Sequence, residues 1–544
     1  MEKYILPTRV LDSKGDIRNI NNLFIKKELQ IGLNEPVNTV MNGESTILLD
    51  FGREICGGIR ILICNYDNTP IDLLVRFGES VSEVINNVGY KNSSNDHAIR
   101  EYNIKTTNLC DLKVGNTGFR FVYIEKKTKD VSLVIKSIVA ISVSSNKRCL
   151  GKFKCSDEVL NKIYQTCKYT VSLCLQNGYI WDGIKRDRLV WIGDLHPEFL
   201  ALKCLYKDLK DVKRSLEFVC NETPLPKWMN GIPMYSMWWL IILYDYYYKT
   251  NDKELIVRYQ DYIVGLVKQL CCYIDDNGNT SYPMNFLDWP SSDSDDLIYG
   301  VLALNVITFD KVIKIFSILN IDQNDDLYKL VVNKKDALVN KECKINNKKQ
   351  VMALYAISKK EYSEDVLKFL IKNNSQGFST FMSYYILKAI FESNGKKESI
   401  NLLKEYYNGM LEKGATTFWE DFDINWVENS NRIDEMPSDD RKDIHGDFGK
   451  YCYQGYRHSL CHGWSSGPIY FMMKYIAGIN SVDVEDRKVL IKPYLGDLEY
   501  VDCSYPTKYG VINVRHTKDE NNNVRTKVSH PKEVEVVYED CVRE

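Results

Sequence analysis

The stretch Trp181-Asp182-Gly183-Ile184-Lys185-Arg186-Asp187-Arg188-Leu189-Val190-Trp191-Ile192-Gly193-Asp194 carries the densest chemistry in the chain. Six of its fourteen residues are charged, and two tryptophans and two glycines sit among them. A sugar pocket needs such a mixture: indole faces stack on C–H surfaces, carboxylates accept from hydroxyls, and arginine fixes both. The same residues would also suit a buried ion-pair network at a domain joint. Perturbed carboxylates cluster at functional sites, which favours the chemical reading.

A second carboxylate block is Gly414-Ala415-Thr416-Thr417-Phe418-Trp419-Glu420-Asp421-Phe422-Asp423. Its Gly and Thr pair read as a turn, and Trp419-Glu420 stands where a helix or loop would enter the mouth of a ring. Glycoside hydrolysis needs two carboxyl groups on opposite sides of the scissile bond, one protonated and one ionised. Asp187 and Glu420 are 233 residues apart, so only a closed fold could bring them together. Taken alone, Glu420 reads as a surface acid whose Trp anchors in the core.

Two further blocks offer binding groups. In Ser459-Leu460-Cys461-His462-Gly463-Trp464, His462 could meet a sugar hydroxyl or orient a carboxylate, although a lone His is more often structural. In Asn285-Phe286-Leu287-Asp288-Trp289-Pro290, Trp289 offers a stacking platform and Asp288 an acceptor; the alternative is a loop packed by its aromatics. Trp238-Trp239 heads an apolar helix, with one indole for the core and the other, taken as Trp239, for a cavity. The acidic run Ser291 to Asp296 lacks the Gly and terminal Glu of an EF-hand loop and reads as a solvated helix cap.

Composition bounds these options. The 544 residues suffice for three or four domains, and the 44% hydrophobic and 26% charged content is that of a soluble globular protein. A net charge of -2 gives no electrostatic case for nucleic acid or an anionic membrane. The sixteen cysteines contain no C-x-x-C pair and read as small buried hydrophobes in a reducing compartment. Seven scattered histidines and the absence of H-E-x-x-H or a Gly-rich phosphate loop predict neither metal nor cofactor. Met1 to Pro7 has no apolar signal core, and the apolar run Trp238 to Tyr248 is too short for a bilayer, so a cytoplasmic protein is expected.

The positioning elements change along the chain. Residues 1–150 read as a β-sandwich, with short strands at Thr46–Phe51, Gly58–Ile63, Phe119–Ile124 and Val131–Ile135 and a long polar loop from Asn86 to Asn103. From Ser156 the period becomes helical. Eleven candidate helices follow, at about 156–176, 194–206, 208–220, 233–249, 253–274, 297–318, 350–357, 362–373, 379–393, 396–410 and 461–477. An all-α toroid of paired helices over 151–479 is the economical architecture. Strands return at Lys488–Ile491, Gly510–Val514 and Glu533–Tyr538, predicting a small C-terminal β-domain over 480–544.

Together these blocks resemble the α-L-rhamnosidases of glycoside hydrolase family 78, nearly along the whole chain and in order. Asp182, Arg186, Asp187, Arg188, Trp191 and Asp194 are similar to the family's Asp, Arg, acid, Arg, Trp-x-Gly-Asp signature. Gly414 to Glu420 is similar to its Gly-x-Thr-Thr-x-Trp-Glu motif, Ser459 to His462 to its Ser-x-x-His, and Asp288-Trp289 to its Gly-Asp-Trp loop with Leu287 in place of Gly. Leu49 to Arg53 and Gly118 to Val122 look like its N-terminal sandwich, and Leu495 to Leu498 with Ser504 to Thr507 like its C-terminal one. The resemblance implies an inverting glycosidase with an (α/α)6 barrel between β-sandwiches. It implies Asp187 as general acid, Glu420 as general base, and Asp182, Arg186 and Asp194 on the sugar hydroxyls. Trp191 and Trp289 would be apolar walls and His462 a polar contact, with Trp239 and Trp419 also counted in the pocket. The acid position is usually Glu; the shorter Asp187 leaves Glu198 as an alternative donor and puts strict rhamnoside specificity in question. Other readings are a six-hairpin glycosidase of different sugar specificity and a non-catalytic carbohydrate-binding relative.

Overall fold

The computed structural model describes residues 2–31, 37–65 and 68–543. At the N-terminus seven strands form one sheet, in the order Glu2–Ile5, Leu133–Val143, Thr39–Ile63, Cys110–Lys126, Ile71–Gly78, Glu101–Thr106, with Arg9–Arg18 also pairing with Thr39–Ile63. The expected strands Thr46–Phe51 and Gly58–Ile63 are thus halves of one 25-residue strand. Its register with Cys110–Lys126 jumps between Asp50 and Ile55 and again between Gly57 and Ile59. Gly57 sits at this break, with φ 145°. A Cβ there would meet the Ile141 carbonyl oxygen at 2.0 Å. The strand carries Ile47, Leu49, Ile59 and Ile61 into a core of its own, separate from the helical one. The polar loop after Asn86 contains only a short turn at Tyr90–Asn92 before the strand at Glu101.

Six helical segments of the central region contact one another in a cycle. Leu195–Leu205 packs on Pro233–Thr250, that on Leu297–Ile318, then Lys349–Lys359, Ser383–Glu392 and Pro468–Phe471, which returns to Leu195–Leu205. The reason lies in composition. Pro233–Thr250 buries 14 of its 18 residues, on every side, so it needs neighbours all round. Lys210–Glu222, by contrast, buries mainly a stripe of Val212, Leu216, Val219 and Cys220, as an outer helix does.

Three expectations change here. Residues 253–274 hold two helices, Lys253–Arg258 and Gln260–Cys272, that meet at Tyr259. A helix absent from the sequence reading, Asp326–Val339, starts where Asp325 accepts from the Leu327 N–H at 2.7 Å. The expected 461–477 helix is a 3-10 turn at Gly463–Ser466, an α-turn at Pro468–Phe471 and a π-turn at Met472–Ile476. Pro468 can only open a helix, so the ordered spiral begins there.

The C-terminal domain has a three-stranded sheet and a five-stranded sheet. The edge strand of the latter is Lys152–Cys155, whose Phe153 lies opposite Cys503. The chain therefore visits the C-terminal sheet before the first helix of the central region, Glu158–Leu173. Ile491, Val501 and Ile512 join the same core as the helices. Among the described residues no disulfide joins two cysteines. No helix among the described residues is long and apolar enough to cross a membrane.

Candidate active site

Backbone hydrogen bonds bring the three distant blocks together. The segment 459–463 lies between the other two. Gly183 and His462 form an antiparallel bridge. The Gly463 N–H donates to the Asp182 carbonyl at 2.7 Å, the His462 N–H to the Phe418 carbonyl at 3.0 Å, and the Glu420 N–H to the Ser459 carbonyl at 2.9 Å. Gly463 is required because a Cβ there would lie 1.7 Å from Glu198 Oε1.

Arg186 is the centre of the site. One terminal nitrogen of its guanidinium binds Asp187 Oδ1 at 3.1 Å, and the other pairs with Glu420 Oε1. Its Nε donates to the Arg457 carbonyl at 2.9 Å. Burial alone would lower the Arg186 pKa, but Glu420 and Asp187 outweigh it and hold it raised. The other oxygen of Glu420 accepts from the Ser459 N–H at 3.0 Å. Asp187 keeps 16% of its side-chain surface exposed, whereas Glu420 keeps 5%.

Beside this pair lies a set of buried acids around one imidazole. His462 Nε2 is 3.6 Å from Asp182, 3.8 Å from Glu420 and 3.9 Å from Asp194. Burial pushes His462 down to about 4, so the ring is neutral near pH 7. Burial, then the charge of Asp187, pushes Asp182 up to about 8. Asp194 is also held well above the carboxylate range by burial and by Asp182, and Tyr235 donates to it at 2.8 Å. Asp182 therefore retains its proton near neutrality and can donate as well as accept.

Asp187 and Arg188 both have left-handed backbone, at φ 53° and 57°. Each such residue costs about 1–2 kcal/mol unless its surroundings fix it. Arg188 supplies the fixing: it lies 4.6 Å over the Trp181 ring and donates to the Asn116 carbonyl at 2.9 Å. The block therefore serves both readings. Lys185 and Arg188 bind the N-terminal domain, while Asp182, Arg186, Asp187 and Asp194 gather at the centre.

The aromatic assignments divide. Trp289 is half-buried and stacks on Tyr451 at 5.5 Å. Trp191 is half-buried, edge-on to Tyr235 at 6.0 Å. Trp239 is not a site residue: it is fully buried, donates to the Leu216 carbonyl at 3.0 Å and packs on Tyr262. Its apolar helix packs on both faces, and Trp239 takes the face toward the outer layer. Trp419 is also fully buried, edge-on to Phe422 and His458 beneath Glu420, and presents no face to a ligand. Asp288 is occupied as a cap, accepting from the Ser291 N–H at 3.1 Å and Ser379 Oγ at 2.5 Å. It holds the Trp289 loop rather than a sugar. Glu198 is 1% exposed and lies against Gly463.

Sequence reasoning missed His97, whose Nε2 lies 3.4 Å from Asp187 Oδ1. It comes from the polar loop of the N-terminal domain, where Asp96 also pairs with Arg457. No local pattern marks it. Tyr235 was missed too, being one of many aromatics on an apolar helix. Glu79, Glu83 and His445 converge closely enough to suggest a metal site. Lys185 Nζ is already 2.8 Å from Glu83 and 3.4 Å from Glu79, and Arg100 is 2.7 Å from Glu83, so a metal ion would have to displace these cations.

Residues 148–476 match the family model described as the bacterial alpha-L-rhamnosidase six-hairpin glycosidase domain. An alpha-L-rhamnosidase of Formosa agariphila is 24% identical over 193 residues, which make up 34% of this chain and 20% of that protein. A family 78 rhamnosidase of Bacillus sp. GL1 superposes with a TM-score of 0.75 at 18% identity, over 97% of this chain and 56% of that one. A Klebsiella oxytoca rhamnosidase with rhamnose bound superposes with a TM-score of 0.67 at 18% identity, over 87% of this chain and 95% of that one. The chain thus spans one fifth of its curated relative and little more than half of the Bacillus protein.

Proposed function

This chain belongs to the bacterial alpha-L-rhamnosidase six-hairpin glycosidase family, and from that premise we propose that it is an inverting glycoside hydrolase releasing a terminal α-L-rhamnose or a closely related sugar. The observation that carries this reading is the pairing of Asp187 and Glu420 with the two ends of one guanidinium, beside three groups able to hold hydroxyls. Asp187, the more exposed acid, gives its proton to the glycosidic oxygen. Glu420 takes a proton from the water that attacks the anomeric carbon from the opposite face. Inversion needs a separation of about 6.5–9.5 Å between the carboxyl groups to admit that water. Asp182, Asp194 and His462 hold the ring hydroxyls, and Trp191 and Trp289 wall the pocket.

The cyclic contacts of six helical segments support an (α/α)6 barrel, and the two C-terminal sheets support a β-sandwich after it, whereas the N-terminal strands pair into one sheet. The chemistry needs no cofactor, and the partner is a small carbohydrate or glycoside. A panel of nitrophenyl glycosides tests the reading: aglycone release should be fastest from the α-L-rhamnoside. Release from another sugar alone would move the specificity, and binding without any release would leave a carbohydrate-binding relative.

A further inference from the structure

The inner helices also line a second hollow, which runs from His196, Trp238 and Tyr385 toward lysines farther along. On Leu195–Leu205, Glu198 faces the buried acids while Lys203, more than a turn later, lines a cavity of about 360 Å3. On Pro233–Thr250, Tyr235 holds Asp194 while Tyr244 to Lys249 reach the same cavity. The C-terminal domain closes it with Asn480, Ser481, Asp486 and Tyr505.

Six lysines line this hollow (Lys203, Lys249, Lys311, Lys314, Lys388 and Lys474) against two carboxylates, Asp245 and Asp486. Lys311 pairs with Asp245 at 2.5 Å, and Lys249 pairs with Asp486. Lys203, Lys314, Lys388 and Lys474 form no ion pair among the described residues. Lys203 and Lys474 share the Tyr470 ring, at 4.1 and 5.8 Å. Lys314 and Lys311 share the Tyr244 ring, at 5.4 and 5.0 Å. Burial and the neighbouring Lys474 push Lys388 down to about 7.

Four lysines without an ion pair among the described residues crowd one hollow, and their positive charges repel one another. Helix C-termini favour a nearby cation, which explains single lysines but not four sharing one space. Each ammonium has three donors and no acceptor, so these four lysines offer donors that no hydrogen bond among the described residues fills. We propose that this cavity is a second binding site, for a phosphate monoester of monosaccharide size. A phosphate monoester brings close to two negative charges and three acceptor oxygens, where a carboxylate brings one charge. Lysine binds phosphate as a point charge, and the Tyr and Trp238 rings give the remainder of the ligand a surface to lie on. The volume falls within the usual range for small-molecule sites, about 300–1,000 Å3. This proposal does not depend on the reaction assigned to the carboxylates.

Calorimetric titration of the full chain with glucose 6-phosphate, inorganic phosphate, glucuronate and glucose, at matched ionic strength in chloride, tests it. We expect both phosphates to bind, with at least tenfold weaker affinity in Lys388→Met and Lys474→Met and unchanged aryl-glycoside hydrolysis in both. The exposed-rim variant Lys314→Ala, which leaves the core untouched, should weaken binding several-fold. Tighter binding of glucose 6-phosphate than of inorganic phosphate supports a sugar phosphate; equal binding supports the free anion in the same cradle. Binding of glucuronate alone, no heat with either phosphate, or binding undiminished in all three variants would overturn the proposal.

Discussion

At the carboxylate site Arg186 pairs with both Asp187 and Glu420, with Asp182 and Asp194 beside them; in the second hollow Lys203, Lys314, Lys388 and Lys474 form no ion pair among the described residues. The helix dipole favours an anion at Asp194, which precedes Leu195–Leu205, and a cation at Lys203 and Lys249, each in the last turn of its helix. That effect is worth only about 0.3–1 kcal/mol per helix end. It favours the sign of each site but leaves the surplus at both unexplained, which is why a ligand is assigned to each. The two sites also differ in how protons are held. Burial raises Asp182 and Asp194 at the carboxylate site, whereas in the second hollow Lys311 and His196 hold Asp245 below the carboxylate range against burial.

Substitutions should separate the two sites, and the largest effect belongs to the reacting pair. Glu420→Gln and Asp187→Asn should each lose about 10²–10⁴-fold in kcat with little change in circular dichroism. Near-normal turnover in Glu420→Gln would remove the base from the scheme. Next, Arg186→Met leaves two carboxylates without their cation. Urea titration should show a loss of about 3–5 kcal/mol, the usual result of breaking a buried pair from one side. No loss of stability would mean that the carboxylates do not depend on Arg186. Gly463→Ala places a methyl against Glu198, and overpacking of this kind costs about 1–3 kcal/mol. Double substitution with Glu198→Ala should recover most of it; additive losses would contradict the contact.

Two finer tests concern pH and the tryptophans. Asp182 is raised from 3.8 to about 8 in the folded state, so the unfolded chain releases its proton first. Stability from this group is fully present below about pH 4 and falls as pH rises toward about 8. Asp182→Asn should flatten that fall in denaturation midpoints measured across the window; an unchanged slope would place the titration elsewhere. Trp289→Ala should raise KM with stability nearly intact, whereas Trp239→Ala should cost about 3–5 kcal/mol with KM unchanged in the protein that folds. The reverse pattern would exchange their assignments.

The site was legible in the sequence where chemistry forces unusual composition. Asp182, Arg186, Asp187, Trp191 and Asp194 stand within fourteen residues, and no surface or simple core needs that mixture. Trp239 was misplaced because its helix is apolar all round, so no polar face sets the rotational phase. Adjacent helical residues point about 100° apart, and only the neighbours decide which indole faces inward. Trp419 and Asp288 stood next to functional residues in sequence, yet one supports Glu420 from beneath and the other caps a turn. His97 was invisible because it arrives from another domain through an irregular loop. The helix Asp326–Val339 was hidden by its three Lys, two Asp and one Asn, leaving Leu327, Val331 and Leu338 as a thin buried stripe. The 25-residue strand read as two because Gly52 and Gly57 mark its bends as though they were turns.

The central claim is that Asp187 and Glu420 act across one glycosidic bond with a water between them. Proton NMR of the first sugar released from an aryl α-L-rhamnoside tests it most directly. The account predicts β-L-rhamnose as the initial anomer, appearing before mutarotation and lost in Glu420→Gln. Initial α-L-rhamnose, or β-anomer formed at the same rate by Glu420→Gln, would contradict it.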